Sequence, residues 1–396
     1  MSESREKENI GLHTLHDGER EQIARTIRES VPHVLKIIDS NMAWFGTRFP
    51  DAACQNGIYP IIDNTEWTTS FWTGQLWLAW EWTQDVKYRA LAEQHIEAFA
   101  RRIVMRDHTN HHDLGFLYTL SCLAGKKLTG KPQAGYIALL AAEALMERYH
   151  EKCGIIQAWG ALDNPEQQGR MIIDCNMNLP LLYQASEISG NACYADAARR
   201  HIDQARRYIV RPDGSTFHTY YWDVVTGTPR FGNTHQGWSD DSCWARGQAW
   251  GIYGFLLNYR YTRDERLLAL SQVLANYFIN RLPEDLVCYW DLSLTDPASE
   301  RDSSASAIVV CALLELISVL PLTHADRESY ETLALRMLNE LITRYVNREP
   351  VPGAGLLKHS VYHFKGNAGV NECCCWGDYF LLEAITRASK PWNSYW

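Results

Sequence analysis

Two kinds of apolar segment alternate along the chain. One is almost wholly apolar and rich in small residues; the other carries its charges on one stripe, as surface helices do. The first kind occupies residues 67–83, 113–124, 174–186, 241–261, 303–320 and 371–388, and the second 85–103, 131–150, 193–209, 263–281 and 325–346. Short polar turns join each apolar segment to the charged one after it, so the pattern predicts five helical hairpins and an unpaired apolar helix at the C-terminus. Its expected partner stands at the other end, over residues 18–42, where Ile23, Ile27, Val31, Val34, Ile37 and Ile38 recur at helical spacing. An all-apolar helix cannot bury itself, so neighbouring hairpins must stack, and six hairpins closing into a ring leave no exposed end. The predicted fold is therefore all-α, an (α/α)6 barrel with apolar helices inside and charged ones outside. No Pro-rich or Gly/Ser-rich linker divides it, so residues 1–396 read as one domain, with the polar segment 1–16 expected to be poorly ordered or loosely packed. The β content should be minor, with one hairpin over residues 215–229 turning at Thr226-Gly227.

Composition narrows the partners. The net charge is -9 and Lys and Arg form no run, so nucleic acid and anionic membrane surfaces find no electrostatic footprint. An anionic ligand would have to be met by a few local cations. The N-terminus lacks the apolar stretch of a secretory signal, and no apolar run reaches the ~20 residues of a membrane span. Eleven cysteines, an odd number without framework spacing, read as reduced thiols and place the protein in the cytoplasm. Cys373, Cys374 and Cys375 are adjacent, and side chains about 100° apart on a helix cannot converge on one metal; they read as small apolar residues of a buried helix. The 15 Trp and 20 Tyr fit either a large helical core or stacking faces for sugar rings.

If the inner helices run parallel, their N-terminal ends share one rim, and acids stand there: Asp113, Asp174, Asp240, Asp241, Asp302 and Glu372. Each fits a helix cap, accepting backbone N–H groups at the positive helix end. Two also fit catalysis. Asp174, in Met-Ile-Ile-Asp-Cys-Asn-Met-Asn, has a mainly apolar setting that favours the protonated form, whereas Asp113 follows His111 and His112 and can stay charged. Two acids with opposite tendencies on one rim suit sugar chemistry. Further on, Arg246 interrupts the apolar run WARGQAWGIYGFLL. A guanidinium there needs an anion, either internal, such as Asp241, or the carboxylate of a ligand. Nucleotide-binding glycine motifs and a Gly-x-Ser-x-Gly elbow are absent, and His111-His112 lacks the i, i+4 spacing of a helical zinc site, so no metal and no organic cofactor is predicted.

The segments NTEWTTSFWTGQLWLAW, HHDLGFLYTLS, MIIDCNMNLPLLYQAS and HQGWSDDSCWARGQAWGIYGF, in that order, resemble the unsaturated glucuronyl hydrolases of glycoside hydrolase family 88. The resemblance runs from about Asn64 to Asp378. It implies an (α/α)6 barrel that cleaves lyase-generated oligosaccharides whose non-reducing uronate carries a C4=C5 double bond. It further implies that Asp174 is the catalytic acid/base, that Asp113 is the second essential carboxylate, and that Trp67, Trp159, His218, Gln236, Arg246 and Trp250 line the sugar pocket. Members favouring sulfated glycosaminoglycan fragments resemble one another in a Ser-x-x-Ser-x-Lys stretch; the corresponding segment here is His363-Phe364-Lys365-Gly366-Asn367-Ala368, which leans toward unsulfated substrates unless Lys358 or Lys365 substitutes. The rival readings are an unsaturated rhamnogalacturonyl hydrolase, an epimerase or isomerase using His218 and His235, and a carbohydrate-binding protein without catalysis. Either a monomer or a homodimer is compatible with the sequence.

Overall fold

The computed structural model describes residues 5–396. Twelve helices follow one another among them: α1 (Asp17–Phe45), α2 (Thr69–Thr83), α3 (Val86–Val104), α4 (114–129), α5 (Pro132–Met146), α6 (Pro180–Ser189), α7 (Cys193–Tyr208), α8 (Ala245–Thr262), α9 (Glu265–Ile279), α10 (Ser303–Val319), α11 (Arg327–Glu340) and α12 (Cys375–Ser389). The even-numbered helices are the apolar ones. They form a ring in which α2, α4, α6, α8, α10 and α12 each pack on the next and α12 returns to α2. The odd-numbered helices surround it, and α1 packs against α12, as the unpaired C-terminal segment requires. The fold is an α/α barrel. Burial explains the two compositions: every residue of α8 from Ala245 to Tyr259 is buried, whereas α7 exposes Arg199, Arg200 and Arg207 and buries Tyr194, Ala198, Ile202 and Ala205 on one face. Trp396 fills the far end of the ring, its indole parallel to Phe380 at 6.0 Å and its Nε1 donating to Glu383 at 2.9 Å.

Two short strand pairs, β1 (Phe49–Pro50) with β2 (Ile61–Ile62) and β3 (Tyr149–His150) with β4 (Ile155–Ile156), lie in the loops, and the larger departures from the predicted elements concentrate on the rim. The hairpin of β6 (Thr219–Asp223) and β7 (Thr228–Asn233) turns at the expected Thr-Gly, but it extends to Asn233 and adds a third strand, β5 (Arg170–Ile172). A second hairpin, β8 (Ser360–His363) with β9 (Ala368–Glu372), takes residues assigned to a loop and to the start of the last inner helix. Residues 174–177 belong to a 3-10 turn, Ile173–Met177, rather than to an α-helix. That turn is wedged between neighbours: a Cβ on Gly115 of α4 would lie 2.2 Å from the Cα of Asn178, and one on Gly254 of α8 would lie 2.5 Å from the Cβ of Asn176. Cys373 to Cys375 are buried at the junction of β9 and α12, only the last of them helical.

Residues 5–16 form no helix or strand, and residues 1–4 lie outside the described residues. Glu8 pairs with Arg281 at 3.0 Å, Lys7 meets Asp326, and Ile10 is buried against the outer helices, so charge pairing and one apolar anchor hold the segment down. Among the described residues no cysteine is disulfide-bonded, and no helix is long and apolar enough to cross a membrane.

Candidate active site

The rim acids have different fates. Asp302 caps α10 through Oδ1, accepting from the backbone of Ser304 at 3.1 Å and Ala305 at 3.4 Å. Glu372 accepts from the backbone of Asn56 and Gly57 at 2.8 and 2.9 Å, and Asp240 from that of Thr234 at 2.9 Å. Asp241 is exposed. Asp113 and Asp174 do something else. Asp113 stands at the cap position of α4 yet accepts no cap hydrogen bond. Its carboxylate lies 3.3 Å from Nε2 of His112 and 3.5 Å from Nδ1 of His111. Asp174 sits in the 3-10 turn, with its Oδ1 shielded from water and without a hydrogen-bond partner.

These surroundings separate the two protonation states. Burial alone would raise Asp113, but the two histidines and the amide of Asn178 outweigh it and hold the carboxyl below the usual aspartate range. Asp174 is raised to about 7, first by burial and then by the negative charge of Asp113, with Arg246 partly offsetting both. Burial keeps His112 neutral, its pKa lowered to about 4, so its ring acts toward Asp113 as a hydrogen-bonding neighbour. One carboxylate and one carboxylic acid therefore share a site near neutral pH.

Trp67, Asp113, Trp159, Asp174, Gln236 and Arg246 line one cavity of about 300 Å³, at the lower end of the range for small-molecule pockets. Arg246 corrects the reading that paired it with Asp241. Its Nη1 lies 3.2 Å from Asp302 Oδ2 and donates to the carbonyl of Val361 at 2.5 Å, while Nη2 donates to that of Tyr362 at 2.7 Å. Asp241 precedes α8 on an exposed loop, whereas Asp302 comes from the neighbouring inner helix and faces the first turn of α8. The guanidinium thus ties α8 to α10 and to β8 while forming part of the cavity wall.

His218 and Trp250, also expected on the wall, stand behind it. The Nδ1 of His218 accepts from the backbone of His235 and Gln236 at 3.0 and 3.1 Å, which fixes the loop that presents Gln236. Trp250 is wholly buried in the ring, packed on Phe116 and Phe380 at 5.1 and 5.5 Å, because its position in α8 faces the barrel axis below the rim. The residue that sequence reasoning missed is Tyr362, which lines the cavity and whose hydroxyl accepts from Trp67 Nε1 at 3.0 Å. The β-branched and aromatic pair Val361-Tyr362 was the available signal for a strand there.

A larger groove of about 670 Å³ lies on the outer face beside α3. Its acids Asp63 and Asp107 are exposed, Asp63 is engaged by Arg48 at 3.1 Å, and its one aromatic ring, Phe49, is buried, so it offers no shielded acid and no stacking face. Among the described residues no cluster of His, Cys, Asp and Glu is arranged to hold a metal ion.

Known proteins match the chain in family and in fold. The family model for Glycosyl Hydrolase Family 88 matches residues 37–353. The unsaturated chondroitin disaccharide hydrolase of Streptococcus pneumoniae is 45% identical over 371 residues, covering 93% of this chain and 93% of that protein. Among solved structures, the unsaturated glucuronyl hydrolase from Streptococcus agalactiae superposes with a TM-score of 0.92 at 43% identity, over 99% of this chain and 100% of the other. A mutant of that enzyme complexed with dGlcA-GalNAc6S superposes at 0.84 with 41% identity, over 98% and 97% of the two chains. With a barrel of the same shape and a family match over most of its length, the chain belongs to glycosyl hydrolase family 88 and is a glycoside hydrolase.

Proposed function

We propose that the enzyme releases the C4=C5 unsaturated glucuronic acid from lyase-generated, glycosaminoglycan-type oligosaccharides by hydrating the double bond. The observation that carries this reading is the unsatisfied Asp174 carboxyl in the cavity, raised to about 7 beside an Asp113 held lower. An acid with a pKa near neutral can give up its proton and take one back in the same turnover. Asp174 protonates C4 of the enol ether, leaving positive charge shared by C5 and the ring oxygen. Charged Asp113 stabilises that cation. Water adds to C5 and surrenders a proton to Asp174; the hemiketal then opens and expels the neighbouring sugar. Trp67 and Trp159 offer faces to the sugar rings, and Gln236 and Arg246 stand where they can meet its carboxylate, Arg246 while still bound to Asp302.

The names of the relatives favour a uronate next to an amino sugar over a rhamnose neighbour. The segment His363 to Ala368, which lacks the Ser-x-x-Ser-x-Lys pattern, supports unsulfated substrates. His218, the base an epimerase would need, is held well below its ordinary pKa by burial and is shielded behind the wall, which disfavours that rival. We read residues 1–396 as a single catalytic domain working in the cytoplasm, with the unbridged cysteines in support. The test follows the ultraviolet absorbance of the conjugated uronate: it decays on turnover of an unsaturated disaccharide and persists if the protein only binds it. Parallel assays of sulfated and unsulfated disaccharides decide the preference, and a strong preference for the sulfated one overturns that part of the proposal.

A further inference from the structure

Asn178 ends the 3-10 turn that carries Asp174, four residues after it, and is completely buried. Its side chain reaches three elements of the site. Oδ1 accepts the backbone N–H of Phe116, in the first turn of α4, at 2.7 Å. Because that N–H can only donate, the amide orientation is fixed, and Nδ2 must face the other way. There it meets the backbone carbonyl of Asp174 at 3.4 Å, and this N–H end of the amide also favours the charged form of Asp113. The approach is as close as the backbone permits, since a Cβ on Gly115 would lie 2.2 Å from the Cα of Asn178. A single amide therefore joins the turn carrying one acid to the helix carrying the other.

We propose that Asn178 is a positioning residue for the hydration reaction: its amide, held between the Phe116 N–H and the Asp174 carbonyl, sets the start of α4, where Asp113 stands, against the turn that carries Asp174. The inference rests on the function proposed above. Only the unlike pair is productive, a charged Asp113 beside a protonated Asp174. The titratable and charged groups facing the pair are His111 and His112 from the loop before α4, Arg148 after α5, Arg246 on α8, and His235 and His363 across the cavity. Cys175, buried beside both acids, stays a thiol because burial raises it well above its ordinary value, and Tyr362 stays a phenol, raised to about 12 by burial. None of these groups bridges the two acid-bearing elements as the amide does.

The experiment measures pH profiles of kcat and kcat/KM on an unsaturated disaccharide for the parent, Asn178→Ala and Asn178→Asp. In Asn178→Ala the carboxyl of Asp113 loses the amide that favours its charged form, so the acid limb of kcat/KM moves up by about one pH unit. At the optimum kcat falls about 10- to 100-fold while KM changes less than threefold. A fall in kcat with unmoved limbs would mean a structural role only and overturns the inference, as does retention of kcat within twofold. Should Asn178→Ala not fold, Asn178→Asp carries the test: protonated, the new acid keeps one donor and one acceptor, so activity survives at acidic pH and drops as that proton is lost, whereas a parental profile overturns the proposal. A parent without hydration activity sinks the reading underneath and this inference with it; an active parent with unchanged variants sinks this inference alone.

Discussion

Replacing Asp174 by Asn should abolish turnover and, at neutral and higher pH, make the protein more stable. The carboxyl titrates near 3.8 in the unfolded chain and near 7 in the fold. Between those values the folded protein holds a proton that the unfolded chain has released, so stability falls as pH rises through this window and levels off above about 7. A displacement of that size corresponds to about 4 kcal/mol, which partial access to water reduces to about 2–4 kcal/mol. The asparagine variant has the same shape and no charge to bury, so it escapes this loss. Other groups titrate across the same range, among them buried His95, His112 and His201, each lowered by burial, and Asp378, raised to about 7 by burial. They are common to both proteins and cancel in the difference. Urea unfolding of parent and variant from pH 4 to pH 8 should therefore give a gap that opens with pH in favour of the variant and stops growing above about 7. A gap that does not change with pH would refute the claim that Asp174 is protonated in the native site. In the turnover assay the same variant should bind substrate while kcat falls by a factor of about 100 or more, since the amide cannot deliver a proton.

Asp113→Asn removes the negative neighbour that helps to raise Asp174, so the basic limb of the pH profile should move to lower pH while kcat falls about 100-fold or more, read from the same kinetics. Arg246→Ala leaves the Asp302 carboxylate buried without its cation and should cost about 3–5 kcal/mol in urea unfolding, with Asp302→Asn in the same chain recovering part of the loss. The single variant should also raise KM for the uronate, and an unaltered KM would confine Arg246 to its ion pair. Gly115→Ala should lose activity and about 1–3 kcal/mol of stability, because its methyl group would have to displace the turn holding Asn178.

The barrel was legible because its helices must bury opposite faces. Residues 303–320, apolar at nearly every position, had only one place to go, and Ile23 to Ile38 had to cover something. The rim was less legible. The periodic pattern starts the last inner helix at Asn371, whereas Asn371 and Glu372 end the strand Ala368–Glu372; positive φ values at Gly369 and Asn371, invisible in the sequence, bend the chain there. The 3-10 turn at Asp174 is likewise imposed by its neighbours, since the Asn176 and Asn178 contacts need glycines on two other helices, one before it and one after it in the chain.

The same limit explains why the internal partner of Arg246 is Asp302 and not Asp241, and why the rim acids could not be ranked as caps. Capping depends on which residue stands just before the first helical turn, and on this rim that point shifts by up to six residues from the periodic pattern. Asp302 satisfied the condition, and its second oxygen was then placed for a guanidinium from the adjacent helix. Glu372, displaced into a strand, capped nothing and bound a loop instead. Asp174, turned inward by a 3-10 segment, keeps one oxygen shielded and without a donor. An acid so placed is costly when ionised, and the fold meets that cost by keeping its proton. Because the two histidines and the amide of Asn178 favour the charged form of Asp113, the proton is retained at Asp174 and not at its neighbour. The direction of proton transfer is thus set by which of the two acids the surrounding chain supports less in its charged form.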